Sequence, residues 1–122
     1  LFELKRYKEA ITTYDQAIRL APQFALVYKN KGNALFELKR YEEAIAAFDQ
    51  AIRLDPHFAL AYKNKGKALD ALNRYEEAIA AYDQAIQLDP NLAIDNNKSN
   101  TLERLGNKKE AQQAHARAGE LG

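Results

Sequence analysis

Lysine and asparagine recur along this chain at spacings of three and four. Lys29, Asn30, Asn33 and Phe36 form one set, Lys63, Asn64, Lys67 and Asp70 a second, and Asn96, Asn97 and Asn100 a third. Such spacings put side chains on one face of a helix. An ammonium group attracts carboxylates. A primary amide offers a donor and an acceptor together, which matches the peptide group of an extended chain. A ladder at Asn30, Asn64 and Asn97 is therefore suited to hold a ligand backbone without reading its side chains. Phe36 reads as a ligand contact or as cover for its own pair of helices. The competing reading makes the lysines solvated surface residues and the asparagines contacts between neighbouring structural units.

Other residue types that could do chemistry are poorly placed for it. Glu42-Glu43 and Glu76-Glu77 open helical segments, where acidic side chains favour the helix dipole by about 0.3–1 kcal/mol each. They read as stability features rather than paired catalytic acids. His57 and His115 have no partner at ligand or triad spacing. There is no cysteine, which excludes disulfides and thiolate metal sites. No Gly-rich phosphate loop or nucleophile motif occurs. The chain is expected to be non-catalytic, with no cofactor and no metal.

Composition narrows the class further. The 122 residues include 18 basic and 17 acidic side chains, a net charge of +1, which gives little electrostatic drive toward nucleic acid or anionic membrane. No apolar run approaches the roughly 20 residues of a membrane span. No basic-then-apolar leader opens the chain, and the expected location is the cytoplasm. Hydrophobic residues at 47% and charged residues at 29% suit one globular domain.

The elements that would position the stripe are legible from repetition. Tyr7, Tyr41 and Tyr75 recur every 34 residues (41 − 7 = 75 − 41 = 34), as do Pro22, Pro56 and Pro90, and Gly32 with Gly66. Residues 25–58 match residues 59–92 at roughly three-quarters of positions, a period typical of helix–turn–helix solenoids. Within a unit, Tyr28, Gly32, Leu35 and Leu38 recur at helical spacing. A second helix carries Tyr41, Ala44, Ile45, Phe48, Ala51 and Ile52 on one face. Asp55-Pro56 ends it, because the residue before proline avoids the α region. Turns between the two helices fall at Lys5-Arg6, Lys39-Arg40, Asn73-Arg74 and Gly106-Asn107. Asn73 and Gly106 suit a left-handed residue, whereas Lys39 or Lys5 there costs about 1 kcal/mol. Gly32 and Gly66 stand mid-helix at a cost of about 1 kcal/mol, which implies close approach of the second helix, with Ala44, Ala51, Ala78 and Ala85 opposite. Tyr28, Phe48, Tyr62 and Tyr82 are expected to fill the gaps between hairpins.

The segments Gly32-Asn-Ala-Leu, Tyr41-Glu-Glu-Ala-Ile and Ala51-Ile-Arg-Leu-Asp-Pro56 resemble the tetratricopeptide repeat family over essentially the whole chain. Tyrosine at 28 and 62 departs mildly from the family's frequent tryptophan. The resemblance implies an all-α, right-handed α-solenoid of antiparallel helix pairs, whose first helices line a concave groove that binds peptides or partner proteins. The units read as a partial repeat over 1–24, repeats over 25–58 and 59–92, and a degenerate C-terminal repeat or cap over 93–122. Leu1 to Tyr7 repeat Leu35 to Tyr41, so the chain is expected to begin inside a first helix, as a piece of a longer array. The following helix would then expose Tyr14 and Ile18. In the last unit the spacing from Leu72 to Leu105 is one short of 34, Asp95 stands for Tyr62, Ser99 for Gly66, Gln112 for Ile79 and His115 for Tyr82. Polar substitution there suits a terminal cap facing water.

The resemblance also extends to members that clamp the C-terminal carboxylates of heat-shock chaperones. Their first three clamp positions fall on Lys29, Asn33 and Asn64, which match. The last two fall on Ala93 and Asn97, which do not. The expected function is a protein-interaction module whose basic, asparagine-rich groove (Lys29, Asn30, Asn33, Phe36, Lys63, Asn64, Lys67, Asn97 and Asn100) favours extended or acidic segments. The alternatives are a scaffold that self-associates through exposed repeat ends and a non-catalytic targeting arm of a larger enzyme. Truncating Phe48 to Ala is expected to cost about 3–5 kcal/mol in denaturant unfolding; a loss well below 1 kcal/mol would place Phe48 outside the core.

Overall fold

The computed structural model describes residues 2–92 and 94–121. Six helices follow in order: α1 Phe2–Leu20, α2 Ala25–Glu37, α3 Tyr41–Leu54, α4 Ala59–Ala71, α5 Tyr75–Leu88 and α6 Asp95–Leu121. No strand occurs among the described residues. The helices α2 and α3 pack as one hairpin and α4 and α5 as a second, while α1 packs on α2, α3 on α4 and α5 on α6. The first helices α2 and α4 also touch. Each element leans on its chain neighbours, which is the serial nesting of an α-solenoid.

The turns explain the hairpins. At the end of α2, Arg40 N–H donates to the Leu35 carbonyl and Lys39 N–H to the Phe36 carbonyl, each at 2.9 Å. Asn73 and Arg74 repeat the pattern on Asp70 and Leu69. These are Schellman closures, which require a left-handed residue. Lys39 and Asn73 supply it, with φ of 61° and 62°. The second helix then starts without a side-chain cap. Its first turn is instead held by Arg40 on Glu43 and Arg74 on Glu77. These charge-assisted bonds hold both exposed carboxyls below their usual range. At the far end of α3, Asp55 is extended before Pro56, and its carboxylate accepts from His57 N–H at 3.1 Å; Asp89 does the same for Asn91.

Inside each hairpin the decisive contact is glycine on an aromatic ring. A Cβ placed on Gly32 would lie 2.5 Å from the Phe48 ring, and one on Gly66 would lie 2.5 Å from the Tyr82 ring. The second helix does approach closely, but the surface these glycines meet is aromatic. The alanines Ala44, Ala51, Ala78 and Ala85 are fully buried around it. Phe48 and Tyr82 are therefore packed against the glycine of their own hairpin, and of the four aromatics expected in the gaps Tyr28 and Tyr62 are half-buried. Between units, Lys31 pairs with Asp15, Lys65 with Asp49 and Lys98 with Asp83, each at 2.7 Å.

The two ends of the chain depart from the expected pattern. No turn forms at Lys5-Arg6, because α1 runs unbroken from Phe2 to Leu20. A left-handed lysine costs about 1 kcal/mol, which the continuous helix avoids. Likewise α6 runs straight through Gly106-Asn107, so the last unit is one long helix rather than a hairpin. Gln112 and His115 leave its second half no apolar face to fold back with, and residues 106–116 are exposed. Leu102, in register with the buried Leu69, is consequently 46% exposed. At the other end Tyr14 and Ile18 are half-buried, whereas Leu4, Leu20, Phe24 and Leu26 are exposed.

The two kinds of glycine give opposite outcomes. Gly32→Ala is expected to lower stability by about 1–3 kcal/mol through overpacking on the immobile Phe48 ring. Gly106→Ala, where an added Cβ meets nothing within 4 Å, is expected to raise it by about 0.5–1 kcal/mol through helix propensity. Chemical denaturation of the two variants measures both, and equal signs would contradict the packing described.

Candidate peptide-binding groove

Three clefts lie along the first helices. One, of about 370 Å³, opens between α1 and α2, with Tyr7, Ala10 and Tyr14 on one wall and Asn30, Asn33 and Glu37 on the other. The next, of about 320 Å³, is bounded by Asn33, Phe36 and Glu37 of α2, by Leu60, Asn64 and Lys67 of α4, and by the Phe48 ring. The third, of about 190 Å³, is formed by Phe36, Lys67, Asp70, Tyr82, Asn97, Asn100 and Arg104. Asn33 and Glu37 belong to the first and second clefts, Phe36 and Lys67 to the second and third. The three are one continuous trough over α1, α2, α4 and α6.

Its centre is an amide pair. Asn64 Nδ2 donates to Asn33 Oδ1 at 2.8 Å, half-buried. That bond uses one amide hydrogen of Asn64 and the oxygen of Asn33, and both side chains line the second cleft. Beside it, Phe36 meets the Tyr41 ring edge-on at 5.3 Å, and the Lys67 ammonium lies 5.2 Å from the Phe36 ring centre. Phe36 thus covers its own hairpin and also lines the trough. A cation stacked on a ring at a partly exposed site gains about 0.5–1 kcal/mol, so Lys67 is held rather than waving in solvent.

The C-terminal end of the trough is a polar network built around the buried Thr101 and Tyr82. The Thr101 hydroxyl lies 3.1 Å from Asp70 Oδ1 and 3.0 Å from the Asn97 carbonyl, donating to either, and Arg104 pairs with Asp70. Tyr82 stands where the preceding hairpin has Phe48, and its hydroxyl joins the network through Thr101 and Asn97. Burial, followed by the Asp70 charge, pushes the Tyr82 phenol up to about 12. No buried side-chain polar atom among the described residues lacks a partner, as a low-dielectric interior requires.

The structure brings Asn30, Asn33, Phe36, Asn64, Lys67, Asn97 and Asn100 into the trough walls. Lys29 and Lys63 line none of its three clefts: each lies one turn nearer the start of its helix than Asn33 and Lys67. Ala93 and the side chain of Asn96 fall outside the described residues. The walls are also less basic than the stripe suggested, since Arg6, Lys67 and Arg104 are matched by Glu3, Glu37 and Asp70. Arg104, Glu37 and the α1 residues were not anticipated. A signal for the cross-helix pairs does exist in the sequence. Asn33 with Asn64 and Asp70 with Thr101 are both 31 residues apart, one period less about one helical turn. Among the described residues no cluster of His, Asp and Glu is placed to hold a metal, and no helix is long and apolar enough to cross a membrane.

Comparison with known proteins adds to this geometry. A family model described as tetratricopeptide repeat matches residues 1–57, 29–93 and 63–120. Among solved structures the chain is similar to the first TPR of Spaghetti (RPAP3) bound to the HSP90 peptide SRMEEVD, with 28% identity and a TM-score of 0.81 over 86% of this chain and 84% of that one. It is similar also to the first TPR domain of the human RPAP3 protein, with 28% identity and a TM-score of 0.84 over 89% and 87%. A third similar structure is the Arabidopsis OM64 TPR domain, with 28% identity and a TM-score of 0.77 over 80% and 81%. No curated protein sequence matches.

The raised Tyr82 phenol predicts alkaline behaviour. The folded state favours the protonated form, so this stabilisation is complete below pH 10 and is lost as the pH rises from about 10 toward 12. Over that window the native chain is expected to lose about 2 kcal/mol more stability than Tyr82→Phe. Denaturant melts at pH 9, 10 and 11 measure this, and identical pH profiles for the two proteins would place the phenol in water.

Proposed function

Since the chain belongs to the tetratricopeptide repeat family, we propose that it is a non-catalytic interaction module whose trough grips an extended segment of a partner protein, with acidic side chains or a terminal carboxylate over Asn33, Asn64 and Lys67. The observation that carries this reading is the continuity of the trough across the Asn33–Asn64 pair. A chain laid along it meets an amide donor, an amide acceptor and a held ammonium in succession. Lys31, Lys65 and Lys98 are committed to ion pairs between units. Among the described residues Lys67 is in no ion pair and lines the trough, which leaves it for a ligand, while Lys29 and Lys63 stand one turn outside the clefts.

The similarity to a domain bound to the HSP90 peptide SRMEEVD supports an acidic segment with a free C-terminus. Lys29, Asn33 and Asn64 occupy the positions that the resemblance assigns to a carboxylate clamp. At the fourth and fifth positions this chain has Ala93 and Asn97 in place of cations, and Asn97 is already engaged with Tyr82. The grip proposed here is accordingly shorter than a full clamp, with Lys67 rather than the third unit supplying charge at the centre. Each charge-assisted contact contributes about 1.5–3 kcal/mol, and a micromolar complex needs only a few beyond the cost of association.

Fluorescence anisotropy with labelled SRMEEVD, and with the same peptide amidated at its C-terminus, tests this. Binding is expected to weaken about tenfold or more on amidation and on Lys67→Ala or Asn64→Ala, and to weaken with salt. Lys67→Ala gives up its contact with the Phe36 ring at about 0.5–1 kcal/mol, and Asn64→Ala gives up the bond to Asn33 at about 1 kcal/mol, so both variants are expected to stay folded. Affinity indifferent to both substitutions and to salt would remove the trough as the site.

A further inference from the structure

We propose that Asp70 decides where along the trough an acidic ligand side chain is accepted: its carboxylate neutralises Arg104 from within and confines the acidic part of a bound segment to α2 and α4. The proposal rests on the extended-segment reading above and adds to it the place where a carboxylate is refused.

The third cleft brings together the groups that recognise carboxylates. Its walls hold the Lys67 ammonium, the Arg104 guanidinium and the amides of Asn97 and Asn100, against one carboxylate, that of Asp70. Asp70 Oδ2 accepts from the Arg104 guanidinium, and Oδ1 lies 3.1 Å from the hydroxyl of the fully buried Thr101. The Asp70 side chain is 18% exposed and that of Arg104 48%. The anion is therefore the sheltered partner, and the cation is the one that faces solvent and ligand. A second carboxylate brought to Arg104 meets a charge already neutralised and a like charge beside it. Lys67 escapes this, because it is held on the Phe36 ring and also lines the second cleft.

The repeat does not require this pair. Asp70 stands where the preceding unit has Phe36 (70 − 36 = 34), while Thr101 and Arg104 stand where it has Ala68 and Ala71 (101 − 68 = 104 − 71 = 33). The α2–α3 hairpin forms with a ring at the first of these positions and no counter-ion. The network also ties α6 to α4, but that role alone predicts lower stability on its loss and no change in the charge a ligand carries. The distances make the difference matter for a bound segment. An extended chain advances about 3.3 Å per residue, and packed helices stand about 8–10 Å apart. A segment whose carboxylate is held at Asn33, Asn64 and Lys67 therefore reaches the third cleft about three residues further on.

Two labelled peptides of seven residues, blocked at both ends, test this by fluorescence anisotropy. One is glutamate throughout. The other has glutamate at its three central positions and glutamine elsewhere. The native chain is expected to bind the two within about threefold of each other, because the outer glutamates gain nothing at Arg104. Asp70→Asn, which keeps an oxygen for the Thr101 hydroxyl, is expected to bind the all-glutamate peptide at least about tenfold more tightly and the other nearly as before. Adding Arg104→Gln to Asp70→Asn is expected to remove that gain. Glu42→Gln, the same change of charge at an exposed residue that lines none of the clefts, is expected to leave both affinities unchanged. An equal gain for the two peptides, no gain, or a gain that survives loss of Arg104 would overturn the proposal. So would a native chain that prefers the all-glutamate peptide by tenfold or more, a comparison that needs no variant to fold. Peptides that bind the native chain and are weakened by Asn64→Ala keep the extended-segment reading in place even if Asp70 fails its test. Absence of binding to every form of the chain would remove both.

Discussion

Contact between a glycine backbone and an aromatic ring sets the geometry of this protein. Gly32 lies on Phe48 and Gly66 on Tyr82 so closely that a single added carbon would overlap the ring. The distance between the two helices of a hairpin is therefore fixed by ring thickness rather than by interlocking side chains. Fully buried alanines complete the seam, because any larger residue would hold the helices apart. Interiors packed to this density do not deform smoothly. The same separation is consequently reproduced in each hairpin, and the first helices are brought side by side in a constant register.

Constant register makes the rest periodic. The ion pairs Lys31–Asp15, Lys65–Asp49 and Lys98–Asp83 join each first helix to the unit before it. All are partly exposed, so each contributes about 0–1 kcal/mol, and their repetition marks the stacking register more than it supplies stability. The turns show a similar balance. Lys39 accepts a left-handed backbone at a cost of about 1 kcal/mol because the Schellman bonds and the burial of Leu35 and Phe48 depend on it.

The trough is a by-product of the same stacking. Side chains on adjacent first helices meet when they are 31 residues apart, and this brings Asn33 to Asn64 and Asp70 to Thr101. In the middle the meeting groups are amides with capacity to spare, which suits a peptide backbone. At the C-terminal end they are Asp70, Thr101, Tyr82 and Arg104, which satisfy one another. In the proposed binding mode the ligand contacts therefore concentrate near Asn33, Asn64, Lys67 and Phe36, because the polar groups at the C-terminal end are engaged with one another.

The period of 34, the helical pairs, the proline stops and the need for glycine at 32 and 66 were all determined by the sequence alone, because each follows from local pattern and from residue types with few conformational uses. The left-handed turns at Lys39 and Asn73 were legible for the same reason. Lys5-Arg6 repeats Lys39-Arg40 residue for residue, yet it lies inside a straight helix, and Gly106, the residue best suited to a turn, lies inside another. Only tertiary structure decided those two places. A left-handed residue is retained where a second helix can bury itself against the first, and without that burial the lower local energy of continuous helix prevails. The tertiary structure likewise placed Lys29 and Lys63 away from the clefts and balanced the trough's lysine and arginines with Glu3, Glu37 and Asp70. Which turn of a helix faces its neighbour depends on the angle at which two helices cross, and that angle is a property of the packed pair rather than of either sequence.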